Sequence, residues 1–218
     1  MKARWLGHSA FLLSAADNTK IITDPYVAGS YDGALGYGRI TETADGVSIS
    51  HDHPDHSGQD SLPGNPKLVK GTGEHSVGPV SIKGFQTWHD ASKGAQRGEN
   101  TVFTYEIDGL RVCHLGDLGH LLDDKTALDI GQVDVLLVPV GGFYTIDAKQ
   151  ATEVARQLRA KVIIPMHYKT RKLGFDIAGV EGFLSGKVSV RRVGGPEVEI
   201  AKDRLPAEPE IWVLEHAL

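Results

Sequence analysis

The stretch Ser50-His51-Asp52-His53-Pro54-Asp55-His56-Ser57-Gly58 carries three histidines and Asp55 in the pattern H-x-H-x-D-H. Imidazole and carboxylate together make the donor set that suits Zn2+, Mn2+ or Fe2+. The apolar run Val47–Ser50 reads as a strand that stops directly before this stretch, and Pro54 keeps the segment out of a continuing strand or a regular helix. On so tight a loop, residues two apart can face one way and their neighbours another. His51 and His53 can then serve one ion while Asp55 and His56 serve a second. Packed together without metal, these side chains would repel when protonated and need many hydrogen bonds when buried.

Further donors recur at the ends of other strand-like runs. His89 ends Val80–Trp88, Asp117 follows Leu110–Leu115, and His167 ends Lys161–Met166. In layered α/β folds, ligands and catalytic groups collect at the carboxyl ends of strands. Each residue alone suits an ordinary structural role, but together they supply the rest of two coordination shells. A carboxylate such as Asp117 can bridge two cations at the roughly 3.5–4 Å spacing of two-metal sites. No Ser–His–Asp arrangement and no P-loop is present, so covalent catalysis and nucleotide-triphosphate chemistry are not indicated.

The elements that must position these donors divide into two kinds. Strand-like runs come first: Arg4–Ser14, Lys20–Thr23, Val47–Ser50, Lys67–Val69, Val80–Trp88, Thr101–Ile107 and Leu110–Leu115. Ile107-Asp108-Gly109-Leu110 sets Asp-Gly between two such runs, a hairpin signal. Val133–Val140 is then nearly all apolar, as expected of a strand buried on both faces. After Gly141-Gly142, the segment Asp147–Ala160 has helical apolar spacing, with Thr145 or Asp147 able to cap it. Lys161–Met166 reads as another buried strand. Val198–Ala201 reads as an edge strand, and Ile211–Leu214 as a terminal apolar run after a Pro206–Pro209 loop.

The 218 residues are read as one domain, 1–218, with a net charge of −5 that gives no support to nucleic-acid binding. Cys113 is the sole cysteine, so no intrachain disulfide forms, as in a reducing compartment. No apolar run is long enough to span a membrane. Lys2 and Arg4 ahead of Trp5–Ala16 imitate a signal peptide, but His8 interrupts the run, and the expected location is the cytoplasm. Oligomeric state is not legible.

The succession H-x-H-x-D-H, His89, Gly116-Asp117 and His167 resembles the metallo-β-lactamase-fold superfamily. Trp5-Leu6-Gly7-His8-Ser9, Ile22-Thr23-Asp24-Pro25 and Pro139-Val140-Gly141-Gly142-Phe143-Tyr144-Thr145 resemble its branch containing L-ascorbate-6-phosphate lactonase and the phospholipase D of N-acylethanolamine phospholipids. The resemblance implies an α/β protein, an αββα sandwich of two mixed β-sheets flanked by helices. It implies two divalent metal ions, Zn2+ foremost with Mn2+ or Fe2+ fitting the same donors. His51, His53 and His89 would hold one, Asp55, His56 and His167 the other, with Asp117 bridging. The implied activity is a metal-dependent hydrolase that uses a hydroxide between the ions on a small phosphoester, lactone or ester, with Asp55 orienting that hydroxide.

Other residues carry weaker signals. His8 and Tyr144 are candidates to line a substrate pocket, and His120, three residues beyond Asp117, to donate a proton to a leaving group. Each also suits a structural role. His75, His114 and His216 read as structural. Gly141-Gly142 suits a tight turn more readily than a phosphate cradle, and Lys169-Thr170-Arg171-Lys172 a solvated loop more readily than an anion site. Ala28–Thr43, with Tyr31 and Tyr37, is a candidate substrate-facing loop but has no decodable pattern. The rival readings on the same fold are a non-catalytic metal-binding or scaffold protein, a nuclease and a di-iron redox protein. The filled ligand positions, the absence of an added basic domain, and His53 where the di-iron relatives typically carry glutamate count against them in turn.

Overall fold

The computed structural model describes all 218 residues. The first half contains β1 (Lys2–Gly7), β2 (Ala10–Ser14), β3 (Lys20–Thr23), β4 (Gly46–Ile49), β5 (Lys67–Lys70), β6 (Gly73–Val77), β7 (Val80–Trp88), β8 (Glu99–Ile107) and β9 (Leu110–His114). Then follow α1 (Asp124–Ile130), β10 (Val135–Pro139), α2 (Ala148–Gln157), β11 (Val162–Met166), α3 (Glu181–Leu184), β12 (Val190–Arg192), β13 (Glu197–Glu199) and β14 (Glu210–Val213). One sheet has the order β13-β1-β2-β3-β4-β5 and the other β12-β14-β11-β10-β9-β8-β7-β6. Both are mixed: β3, β4 and β5 run parallel, as do β9, β10, β11, β14 and β12, and the other pairs are antiparallel.

Alternation along the first sheet sends its apolar residues to two destinations. Trp5, Phe11, Leu13 and Ile21 enter the main core shared with the second sheet. Leu6, Leu12, Ile22, Val47 and Ile49 face a smaller core, closed by irregular chain that includes Tyr26, Leu35, Tyr37, Leu173 and Ile177. The helices belong to the second sheet, where Ala151, Val154 and Ala155 of α2 join the main core. Every residue of β10 and β11 is buried, as their unbroken apolar runs require.

Three local outcomes refine the sequence reading. The run Arg4–Ser14 is two strands, because Gly7 (φ 138°) and His8 (φ 51°) turn the chain into a hairpin. At the Asp108-Gly109 turn both residues have positive φ (52° and 75°), the geometry of a type I′ hairpin. Asp147, rather than Thr145, caps α2: its carboxylate accepts from Gln150 N while the Gln150 side chain accepts from Asp147 N. Helix α1 has no counterpart in the sequence pattern: its seven residues bury only Ile130, so no apolar period announces it.

The topology brings the carboxyl ends of β1, β3, β4, β7, β9 and β11 to one edge of the sandwich. His8, Asp24, the loop after Ser50, His89, Asp117 and His167 leave those ends. His8 (φ 51°), Asp24 (φ 39°) and His167 (φ 49°) all adopt left-handed backbone, a conformation that non-glycine residues keep only where the surroundings impose it.

Candidate metal centre

The donors assemble as two groups, linked through His51 and His56 by a third set with Asp24. One ligand atom from each of His51, His53 and His89 forms a set within 4.8 Å, and one from each of His8, Asp55, His56 and His167 forms another. Asp117 stands between them. Its Oδ1 lies 3.2 Å from His56 Nε2, and its Oδ2 lies 3.2 Å from both His89 Nε2 and His167 Nε2 and 4.0 Å from His51 Nε2. Two donors held about 2.1 Å from one tetrahedral ion are themselves about 3.4 Å apart, so these spacings match a ligand cage. His51 Nε2, His56 Nε2 and Asp117 Oδ1 are buried without a hydrogen-bond partner. Such polar atoms are costly to bury unless something coordinates them, and all three are of the type a divalent cation takes. The residues present therefore fit the metal.

Asp24 orients the donors from behind. It is fully buried, and its Oδ2 accepts from Ser50 Oγ at 2.5 Å and from His56 Nδ1 at 2.8 Å. Ser50 Oγ in turn lies 2.9 Å from His51 Nδ1. With the serine proton committed to Asp24, His51 Nδ1–H donates to Ser50, and both imidazoles are left with Nε2 free toward the cavity. Asn100 does the same for Asp117: its Oδ1 accepts from Asp117 N at 2.9 Å, and its amide donates to Leu115 O and Thr87 Oγ1.

Burial, reinforced by the neighbouring His56, pushes His51 down to about 3, and burial with His89 lowers His53. Both are unprotonated at neutral pH, as ligands must be. For Asp117 burial works the other way, but His167 and His56 outweigh it and hold the carboxyl well below its usual range.

Asp55 is clamped at both oxygens. Tyr31 donates to Oδ1 at 3.0 Å, and His8 Nε2 lies 3.1 Å from Oδ2. Burial and the neighbouring His167 push His8 down to about 4, so near neutral pH its ring is neutral and its Nε2–H donates to Asp55 Oδ2. His8 is completely buried, packed on His167 at 4.2 Å between ring centroids. It stands behind the cluster rather than on the cavity wall.

The cluster opens into a cavity of about 330 Å3 lined by Tyr31, His53, Asp55, His89, Arg97, Asp117, Tyr144, His167 and Phe175. A groove of about 560 Å3 beside α2 and α3 is larger but holds no metal-donor group, so the chemistry belongs to the smaller space. Tyr144 is on the wall of this cavity. His120 does not join the cluster: its Nε2 accepts from Trp88 N (3.1 Å) and its Nδ1 donates to Leu121 O (2.7 Å), so both ring nitrogens serve the backbone. His114 bonds Ser9 O and Gly116 N and is structural, and the side-chain hydrogen bonds of His75 and His216 go only to backbone oxygens. Gly141 is a close approach, since a Cβ there would meet His167 O at 2.3 Å, and its N–H is used by that same carbonyl. In the basic run, Lys169 Nζ donates to Phe175 O and Lys172 O accepts from Gly36 N, which ties the run to the loop below it.

The sequence reading missed Arg97 and Phe175 as cavity residues, named Tyr31 only within the candidate substrate-facing loop Ala28–Thr43, and assigned Asp24 no role. For Asp24 a signal existed, a carboxylate directly after the apolar run Lys20–Thr23. The other three lie in irregular chain with no periodicity.

A profile of the β-lactamase superfamily domain matches residues 2–167. A UPF0173 metal-dependent hydrolase of Carboxydothermus hydrogenoformans is 30% identical over 78% of this chain and 85% of its own. The solved structure of a candidate Zn-dependent hydrolase of the metallo-β-lactamase superfamily from Thermotoga maritima is 42% identical, covers 98% of both chains and superposes with a TM-score of 0.80. The metallo-hydrolase Igni18 of Ignicoccus hospitalis shares the fold at 23% identity, with a TM-score of 0.60 over 80% of this chain and 86% of its own. The chain belongs to the metallo-β-lactamase superfamily, among its metal-dependent hydrolases.

Proposed function

We propose that this cavity hydrolyses a small phosphoester or lactone at a pair of divalent cations, Zn2+ foremost. His51, His53 and His89 would hold one ion, Asp55, His56 and His167 the other, and Asp117 would reach both. The observation that carries the reading is Asp117, whose two oxygens each lie 3.2 Å from an imidazole nitrogen of the second group while Oδ2 is equally close to His89 of the first. Bound there, such ions lower the pKa of water to about 7 and polarise the scissile carbonyl or phosphoryl oxygen.

The protein's own groups do the rest. Asp55, fixed by Tyr31 and His8, would hold one ion and orient the attacking hydroxide. Burial and the adjacent Asp55 carboxylate both raise the Tyr31 phenol, so it stays protonated and keeps its hydrogen bond at neutral pH. Asp24 and Asn100 hold the donors in place so that little reorganisation accompanies the reaction.

The test is hydrolysis of bis(p-nitrophenyl) phosphate and of a simple lactone by protein loaded in turn with zinc, manganese and iron, with metal content measured alongside. The expected result is two ions per chain and turnover of one substrate class, both reduced in Asp117→Ala. Wild-type turnover by metal-loaded Asp117→Ala would overturn the reading.

A further inference from the structure

Arg97 is the one cationic side chain lining the cavity that also holds the donor cluster. It is half-buried, and its guanidinium forms no ion pair or hydrogen bond within the protein. It rests over the Tyr144 ring at 5.5 Å. An arginine facing a cavity with all five of its N–H donors unclaimed is prepared for an oxyanion that accepts two parallel hydrogen bonds.

The placement is built rather than incidental. Arg97 ends a loop wrapped around the buried carboxylate of Asp90. Asp90 accepts from Ser92 N (2.7 Å) and Gly94 N (3.0 Å) through Oδ1, and from Gln96 N (2.9 Å) and Arg97 N (2.8 Å) through Oδ2. Gly98 O then accepts from His89 N at 3.0 Å, so the loop closes on the residue that supplies a metal donor. Asp90 follows His89 directly, and one short segment therefore fixes the arginine relative to the metal centre. The same cavity has an aromatic wall, with Phe175 at 5.2 Å from Tyr31 and 5.9 Å from Tyr144 between ring centroids.

We propose that Arg97 makes this site selective for substrates carrying a second oxyanion, a carboxylate or phosphate, separated from the scissile group by a short apolar segment. This rests on the metal-dependent hydrolase reading for the scissile end. The scissile group meets the metal centre, the apolar segment packs on Tyr31, Phe175 and Tyr144, and the remote anion forms paired hydrogen bonds with the guanidinium. A cavity of about 330 Å3 is sized for such a small molecule.

The experiment is calorimetric titration of zinc-loaded protein with product-like probes that need no turnover. Hexanoate offers one carboxylate for the metal centre. Adipate adds a second carboxylate at the far end, and 5-phosphonopentanoate adds a phosphonate instead. Succinate and glutarate gauge the span. The expected result is binding of at least one doubly anionic probe about tenfold or more tighter than its singly anionic counterpart, as a charge-assisted pair supplies. The better of adipate and 5-phosphonopentanoate identifies the anion. In Arg97→Gln that ratio falls to near one, and Arg97→Lys, which keeps the charge without the fork, retains part of it. Equal binding of singly and doubly anionic probes by the wild type, or an unchanged ratio in Arg97→Gln, overturns the proposal. If the hydrolase reading alone fails, no ester or lactone turns over while the Arg97-dependent preference persists.

Discussion

Asp24 Oδ2 accepts the Nδ1–H of His56 at 2.8 Å, and through Ser50 Oγ the same oxygen reaches His51. One carboxylate thus sets the ring orientation and tautomer of one histidine from each donor group. Asp24→Asn removes the charge and presents an amide that can donate where only acceptance is useful. Metal affinity is expected to fall roughly 10- to 100-fold, the usual cost of losing such a partner. Competition with a chromophoric chelator measures it, with circular dichroism to show that the fold survives. Affinity equal to wild type would remove Asp24 from this role.

Tyr31 offers a second test at the opposite side of the cluster. Its hydroxyl donates to Asp55 Oδ1 at 3.0 Å, while the residue itself is 45% exposed. Tyr31→Phe deletes the donor and keeps the ring against Phe175. With solvent partly compensating, kcat is expected to drop about three- to tenfold with metal content unchanged. An unaltered kcat would show that Asp55 needs only His8 to hold it.

Gly116 explains how Asp117 comes so close to the histidine loop. Its φ is +54°, and a Cβ there would meet Asn100 Oδ1 at 2.3 Å and Ser50 Cβ at 2.6 Å. Ala at this position strains the backbone and pushes on two groups that orient donors. Gly116→Ala is expected to cost about 2–3 kcal/mol in urea unfolding and to weaken metal binding. A variant as stable as wild type would mean that β9 and β4 have room to separate.

The parts of the site that were legible in the sequence are those tied to strand ends. His51, His53, Asp55, His56, His89, Asp117 and His167 each follow an apolar or β-branched run, and both the run and the residue type announce themselves. Asp24 follows such a run too, but one carboxylate after a strand is ambiguous until Ser50 and His56 arrive beside it from elsewhere in the chain. Tyr31, Arg97 and Phe175 reach the cavity from irregular segments whose paths depend on distant contacts. Leu35 bridges to Leu173, and Asp90 gathers the backbone of residues 92–97. His120 shows the converse: its spacing from Asp117 suggested chemistry, but Trp88 N and Leu121 O occupy its nitrogens. The hairpin break at His8 was hidden because Gly7-His8-Ser9 sits inside an apolar stretch, and only the left-handed φ values reveal the turn.

Asp90 supplies a prediction with a defined pH direction. Burial would raise its carboxyl, but the backbone N–H groups of Arg97, Gln96, Ser92 and Gly94 outweigh it and hold the group below its ordinary value. A carboxylate whose folded-state value is depressed contributes stability that is fully present above the unfolded value of about 3.9, and that is lost as the pH falls through the folded value. Asp90→Asn leaves one amide oxygen for the four N–H donors and turns an NH2 toward two of them. The stability difference between wild type and Asp90→Asn, read from urea midpoints, should therefore be constant from pH 7 to about pH 5 and shrink below about pH 4. Hydrogen exchange at Gln96 and Arg97 should accelerate in the variant at neutral pH, because their amides lose their acceptor. A stability difference that stays constant down to pH 2.5, or amides at Gln96 and Arg97 that exchange as slowly as in wild type, would mean that the loop carrying Arg97 is held by something other than this carboxylate.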